Sequence, residues 1–289
     1  MNEVIERTET LLPGPAQALG ALLDVPVPDL DNGAGLPLLW HWIYLLEHPA
    51  QADLGLDGHP VRGTIPAPPE PGRRRMWAGG RVAASGPLRC GEPATRRSQV
   101  KSVTDKQGRS GPLTFCVVHH QVLQRGRVVI DELQDIVYRE AVSPASPAGP
   151  PAPAVWEGED VPPAEGEWAI DVSPTLLFRF SALTYNAHRI HYDRDYARDV
   201  EGYPGLLTHG PLQALAMAEA ARAAGKGDGD GDGDGDGDGE LAFDYKLISP
   251  LFDFQGLVVG ASTESDATTT AVRDRHGRRS AAGTLRGSR

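Results

Sequence analysis

The chain has 289 residues, 40% of them hydrophobic, with a net charge of −11. That length accommodates two modules of roughly 100–150 residues around packed cores, and no apolar run reaches the roughly 18 residues needed to cross a membrane. The N-terminus, "MNEVIERTETLLPGPAQ", carries acids and neither a basic nor an apolar leader segment, so no secretory signal is expected there and a cytoplasmic address is the expectation.

Along the chain, Leu36 to Pro49, "LPLLWHWIYLLEHP", is apolar nearly all round and predicts a helix buried on most faces. Cys90 and Cys116 have neither a metal-site spacing nor a disulfide-rich context, so each reads as a small apolar residue or spare thiol. The run "TFCVVHHQVLQRGRVVIDELQDIVYRE" places β-branched stretches on both sides of Arg125 and Gly126, the pattern of a hairpin. Ser143 to Pro163, "SPASPAGPPAPAVWEGEDVPP", is too rich in proline for a helix or central strand and reads as a semi-rigid connector. It divides the chain into a first module, 1–142, a linker, 143–165, and a second module, 166–289.

In the second module Gly210 to Ala224 predicts a helix, with Pro211 at its first turn and Gly225 as its stop. Strands follow in "LAFDYKLISPLF" and "GLVVGASTESDATTTAVRDRHGR". Between helix and strands, the Gly-Asp repeat 227–239 holds six aspartates, so more than half of the net charge is local. Its spacing fits no calcium loop, and glycine entropy with aspartate repulsion predicts a disordered acidic insertion. A helix followed by strands, twice, predicts an α+β architecture built as a duplicated unit, although the halves share no residue-level repeat.

The chemistry gathers in Ser181 to Asp193, "SALTYNAHRIHYD", and in "YPGLLTHGPLQALAM" from Tyr203. Asn186, His188, His191 and Asp193 follow at intervals of two, three and two, which suits a loop or single helical turn rather than one face of an element. Two histidines beside polar groups suit proton transfer near neutral pH, against the plainer alternative of a capped turn with surface histidines. His188, His191, Asp193 and His209 are four potential ligands, yet their spacing matches no zinc or iron signature, and no metal is expected. Gly210 begins a helix, so its N–H is a free donor at the positive end of the helix dipole. That is the chemistry of an oxyanion hole, which would stabilise a thioester enolate during addition or removal of water; a helix that merely starts with Gly-Pro is the alternative.

"NAHRIHYD" resembles the D-x-N-P-[LIV]-H-x-D motif of the MaoC-like (R)-specific enoyl-CoA hydratases, with Ile190, His191 and Asp193 in register. The family's catalytic aspartate falls on Asn186, its asparagine on His188 and its proline on Arg189. "FRFSALTYNAHRIHYD" with "EGYPGLLTHGPL" is closer to the mesaconyl-C4-CoA (3-methylfumaryl-CoA) hydratase and type 2 hydroxyacyl-thioester dehydratase group. "LPLLWHWIYLLE", "RRRMWAGGRV", "GRSGPLTFCVVHH" and "DELQDIVYRE" resemble that group's N-terminal module.

The resemblance implies a double hot-dog fold whose second half carries the hydratase motif and whose first half, non-catalytic, shapes the acyl and CoA tunnel. It implies a hydro-lyase acting on an enoyl-CoA, with CoA as part of the substrate and no separate cofactor. An acyl-CoA is the expected partner, with no nucleic acid and no membrane, and a homodimer is allowed for. His191 is then the general base or acid, Asn186 orients the water, and His188 is either a second proton carrier or the group that sets the tautomer of His191. Gly210 would hold the thioester oxygen; Tyr185 either donates there too or packs, and His209 is placed with the substrate-binding residues. Arg189 and Arg179 are candidates for the free carboxylate of a dicarboxylic acyl group such as mesaconyl; with Arg189 pointing into the pocket that group is the better expectation, and with Arg189 facing solvent a plain enoyl chain is equally good. Arg73 to Arg75 and Arg273, Arg275, Arg278 and Arg279 are candidates for the CoA phosphates. A hot-dog thioesterase and a non-catalytic acyl-thioester binding module, the latter motivated by the lost aspartate, remain as alternatives.

Overall fold

The computed structural model describes residues 3–66, 73–108, 111–140, 158–225, 240–264 and 266–287. The Gly-Asp repeat and most of the proline-rich connector lie outside them. Five strands form in the first half: β1 (Ile5–Thr10), β2 (Arg73–Ala84), β3 (Pro93–Gly108), β4 (Gly111–Gln124) and β5 (Arg127–Glu140). Five more form in the second: β6 (Trp168–Ile170), β7 (Leu241–Leu247), β8 (Leu257–Glu264), β9 (Ala267–Arg273) and β10 (Arg279–Gly287). The hairpin expected at Arg125–Gly126 is present as β4–β5, and both turn residues take positive φ, 52° and 76°, as a two-residue turn between right-twisted strands requires.

All ten strands join in one antiparallel sheet, ordered β1-β3-β4-β5-β2-β7-β10-β9-β8-β6. Read outward from the central β2–β7 pair, each half has the same order: second strand, fifth, fourth, third, first. The duplication inferred from layout is therefore present in topology. Gly80 lets the two halves meet, because a Cβ there would stand 2.7 Å from the Tyr245 hydroxyl of β7.

The helices lie between the first and second strands of each half: α1 (Pro13–Leu23), then α2 (Pro174–Leu183) and α3 (Gly210–Ala223). α2 starts at Ser173, whose hydroxyl accepts from Leu176 N, and α1 packs on α2. α3 is the long hot-dog helix, laid on β8, β9 and β10; its buried Ala214, Ala216, Ala218 and Ala221 permit close approach.

The helix expected at Leu36–Pro49 does not form. Only Trp40–Ile43 makes a 3-10 turn, flanked by Leu39 and Leu45 at positive φ. The segment is apolar because its middle, from Pro37 to Leu45, is largely buried, and its polar atoms find partners on other elements instead of along a helix: Trp40 Nε1 donates to Glu219 Oε1 on α3 at 2.8 Å. The first half's helix is α1, signalled only by Pro13 and Pro15 ahead of the spaced Ala16, Leu19, Leu22 and Leu23. Topologically, the chain from Asp24 to β2 occupies the place that the second half gives to α2, the loop 184–193 and α3. Without a long helix there, space remains beside β2, and the functional cavity occupies it.

Candidate active site

A cavity of about 970 Å³ lies between the halves, lined by His59, Arg75 and Trp77 from the first and by Asn186, His191 and Gly210 from the second. The hydratase stretch follows α2 as a loop and a 3-10 turn, Arg189–His191, in agreement with the spacing argument. Asn186 holds this turn open: its Oδ1 accepts from His188 N at 3.0 Å.

His191 is buried, with Nδ1 2.8 Å from the Leu207 carbonyl oxygen. A carbonyl can only accept, so Nδ1 carries the proton and Nε2 keeps its lone pair. The tautomer is thus set by Leu207, not by His188, whose ring stands perpendicular to that of His191 at 5.5 Å. Behind His191, the His209 ring stacks at 3.6 Å and 18° and reaches Ser181 Oγ through Nε2 at 2.9 Å. Burial pushes the His191 imidazole down to about 4, against the Leu207 hydrogen bond. It also drives His209 and His188 well below the ordinary value, with neighbouring histidines adding to the effect. Three adjacent imidazoles are therefore neutral at neutral pH.

Gly210 stands at the first position of α3, where an amide has no partner inside the helix. A Cβ here would meet the terminal methyl of Leu247, so any larger residue would have to displace that side chain. Beside it, Thr208 Oγ1 is buried and has no partner among the described residues, a second donor in the same Thr208–Gly210 stretch.

The first half reaches this site through the loop around Gly58, which sequence reasoning missed. His59 Nδ1 lies 2.9 Å from Asp57 Oδ2, and its ring faces His188 at 3.9 Å. Burial lowers His59, with the Asp57 carboxylate opposing. Burial alone would raise the Asp57 carboxyl, but the His59 hydrogen bond brings it below its usual value. Ligand atoms of Asp57, His59 and His188 lie within 4.8 Å of one another, close enough to hold a cation. The Asp57 carboxylate is engaged by His59, however, and the charge of Arg75 acts on both histidines, which suits a proton-handling group better.

Further along the same cavity, Glu132 is buried and accepts from His41 Nε2 at 3.0 Å, Trp42 Nε1 at 2.9 Å and Gln134 Nε2 at 2.8 Å. Burial raises its carboxyl, yet these bonds and the His41 charge bring it to about 2. His120, bonded to Ser98 Oγ, is lowered by burial to about 4.

Several expected substrate contacts fall elsewhere. Arg189 turns out of the cavity to Asp193 at 2.7 Å and lies over the Tyr196 ring at 4.0 Å; an adjacent carboxylate four residues on captures it first. Arg179 is exposed on α2, because the helix spends its inward face on Leu176, Leu177 and Phe180. His209 supports His191 from behind and does not line the cavity. Tyr185 sits at the cavity mouth, 54% exposed, with its ring edge on His48. Arg273 pairs with Glu167 at 2.6 Å, Arg278 with Asp274 at 3.2 Å and Arg275 with Asp160 at 3.4 Å, so these arginines hold the second half's loops. Arg74 is likewise engaged by Glu201 at 2.6 Å.

Two solved structures share this architecture over nearly the whole chain. HtdX of Mycobacterium tuberculosis superposes with a TM-score of 0.65 at 13% identity, covering 99% of this chain and 100% of the other. A MaoC-like dehydratase of Phytophthora capsici gives 0.65 at 13%, covering 100% and 96%. The protein is a double hot-dog of the MaoC-like kind. In sequence, residues 39–253 match the family described as hydroxyacyl-thioester dehydratase type 2. The chain is also 48% identical over 206 residues to the mesaconyl-C(4)-CoA hydratase of Chloroflexus aurantiacus, covering 71% of this chain and 70% of that protein. It belongs to the type 2 hydroxyacyl-thioester dehydratase family and is a hydro-lyase of acyl thioesters.

Proposed function

We propose that the enzyme adds water to, or removes it from, the double bond of an enoyl-CoA whose acyl group is a short dicarboxylate of the mesaconyl-C4 type. The observation that carries the reading is His191, held by Leu207 as the tautomer whose free Nε2 can accept a proton, in the cavity that the Gly210 N–H also lines. In hydration, Nε2 takes a proton from water while the water oxygen bonds to the β-carbon. The π electrons move onto the thioester oxygen, where the Gly210 N–H stabilises the enolate. The imidazolium then returns the proton to the α-carbon, and dehydration is the reverse. Asn186, its Oδ1 committed to the loop, offers its amino group to the water oxygen; His188 and Tyr185 border the acyl path.

Two observations support the dicarboxylic acyl group: the name of the Chloroflexus relative, and Arg75 and Arg139 in the cavity lining, neither of which is in a salt bridge among the described residues, so that a substrate carboxylate would complement their charge. The test is product analysis with mesaconyl-C4-CoA and crotonyl-CoA. Formation of a hydroxyacyl-CoA from the first supports the reading; release of free CoA marks a thioesterase instead, and no turnover of either marks a binding module.

A further inference from the structure

We propose that Arg75 selects the acyl group, its guanidinium receiving a carboxylate borne on the β-carbon of the thioester; this rests on the reading above and assigns its specificity. The chain length of the substrate sets where the anion partner must be. In a four-carbon dicarboxylic thioester the second carboxylate is bonded to the same carbon that receives water. Its partner therefore belongs beside the histidines, not at the far end of a tunnel.

Arg75 meets that condition. It shares a face of β2 with Trp77, two residues on and about 7 Å along the strand. Trp77 Cβ lies 3.7 Å from the point where a Cβ on Gly210 would stand, which places the strand against the oxyanion donor. The charge of Arg75 is also felt by His59, on the first-half loop that faces His188, and by His188 in the second half, and it depresses both. A side chain spanning that distance passes the β-carbon of a thioester whose oxygen is on Gly210.

Arg75 is also uncompensated. Its Nη2 donates to the Pro66 carbonyl at 3.2 Å and the guanidinium lies 5.9 Å from the Tyr138 ring, but its Nε is buried with no partner. Among the described residues no carboxylate pairs with it; Asp57, whose carboxyl its charge helps to lower, is bonded to His59. Arg139 shares the cavity lining and a buried, unpartnered Nε, but it donates to the Tyr203 hydroxyl at 3.5 Å and its charge acts on Glu201 rather than on the histidines. Others have acids of their own: Arg74 has Glu201, Arg96 has Glu47 at 3.5 Å, and Arg189 has Asp193 outside the cavity. A planar guanidinium beside neutral imidazoles, lacking its own acid, is the arrangement that a substrate carboxylate completes.

Binding separates this assignment from catalysis. Succinyl-CoA and butyryl-CoA are saturated, so neither can be hydrated, and they differ in a carboxylate or a methyl group on the β-carbon. Titration calorimetry on the full chain is expected to show succinyl-CoA bound about 10- to 100-fold more tightly, the range for a hydrogen bond to a charged group. Arg75→Gln is expected to bring the ratio near one, and Arg75→Lys, which keeps the charge without the fork, to retain part of it. Equal binding of both ligands by the wild type, or an unchanged ratio in Arg75→Gln, overturns the assignment. Its failure is distinguishable from that of the functional reading. A succinyl preference that Arg75→Gln abolishes, without hydration of mesaconyl-C4-CoA, upholds the anion site and sinks the substrate; hydration with no Arg75-dependent preference does the opposite.

Discussion

Gly58 approaches Ala187 so closely that a Cβ on it would overlap the Ala187 carbonyl oxygen, and it does so at a φ of +89°. A first-half loop is thereby seated directly on the hydratase loop. Arg189 completes the seating: its backbone N–H donates to the Asp57 carbonyl at 2.9 Å and its Nη1 to that of Leu56 at 3.1 Å. The residue expected to bind substrate instead fastens the two loops together, and the fastening brings His59 to His188.

Gly58→Ala should therefore damage the site more than the fold. The backbone strain and overlap are expected to cost about 1–3 kcal/mol, read by urea unfolding. Hydration should fall at least tenfold more than the unfolded fraction explains. A variant with wild-type stability and rate would show that the two loops are not coupled.

His191→Ala should lower kcat by about 10²- to 10⁴-fold, the usual contribution of a positioned acid–base group, with a much smaller effect on KM. The decay of enoyl absorbance measures it. If kcat is retained, the proton carrier is another residue, and Asp57-backed His59 is the next to test.

Acid should weaken the protein before it unfolds outright. His191 has its folded value at about 4 against an ordinary 6.5, and His59, His188 and His209 are lowered as well. Between these values the unfolded chain binds protons that the folded one refuses, so stability is full above the ordinary value and declines as pH falls toward about 4. Urea midpoints at neutral and mildly acidic pH should show the decline. The rate should stay level through neutrality and drop on the acid side, as the imidazoles protonate.

Glu132→Ala should cost about 3–5 kcal/mol, the penalty for removing one partner from a buried charged pair. His41, Trp42 and Gln134 would all lose their acceptor at once. Chemical denaturation measures this, and a loss below about 1 kcal/mol would mean that water enters the cluster and replaces the carboxylate.

The strands were legible where alternation was backed by turn chemistry. Val118, Val122, Ile130 and Ile136 point inward from a hairpin whose turn residues, Arg125 and Gly126, are adjacent in sequence. α3 was legible because Gly210, Pro211 and Gly225 mark its ends. Leu36–Pro49 misled because an apolar run reports burial and not conformation: the same residues satisfy a buried 3-10 turn flanked by left-handed leucines.

His191 and Gly210 could be put forward from sequence because their signals are local: histidines in a polar turn, and a helix that begins on glycine. Asp57 and His59 could not, and Arg75 could be chosen only as one of an arginine run expected at the CoA phosphates, since more than a hundred positions separate all three from the hydratase loop. Arg189 alone reaches Leu56 across 133 residues. Local patterning determined the two-fold α+β layout and the hydratase loop. Only the β2–β7 pairing, which sets the first half's loops against the second half's helix, decided which charges share the cavity, because register and loop seating depend on packing between halves and leave no periodic mark along the chain.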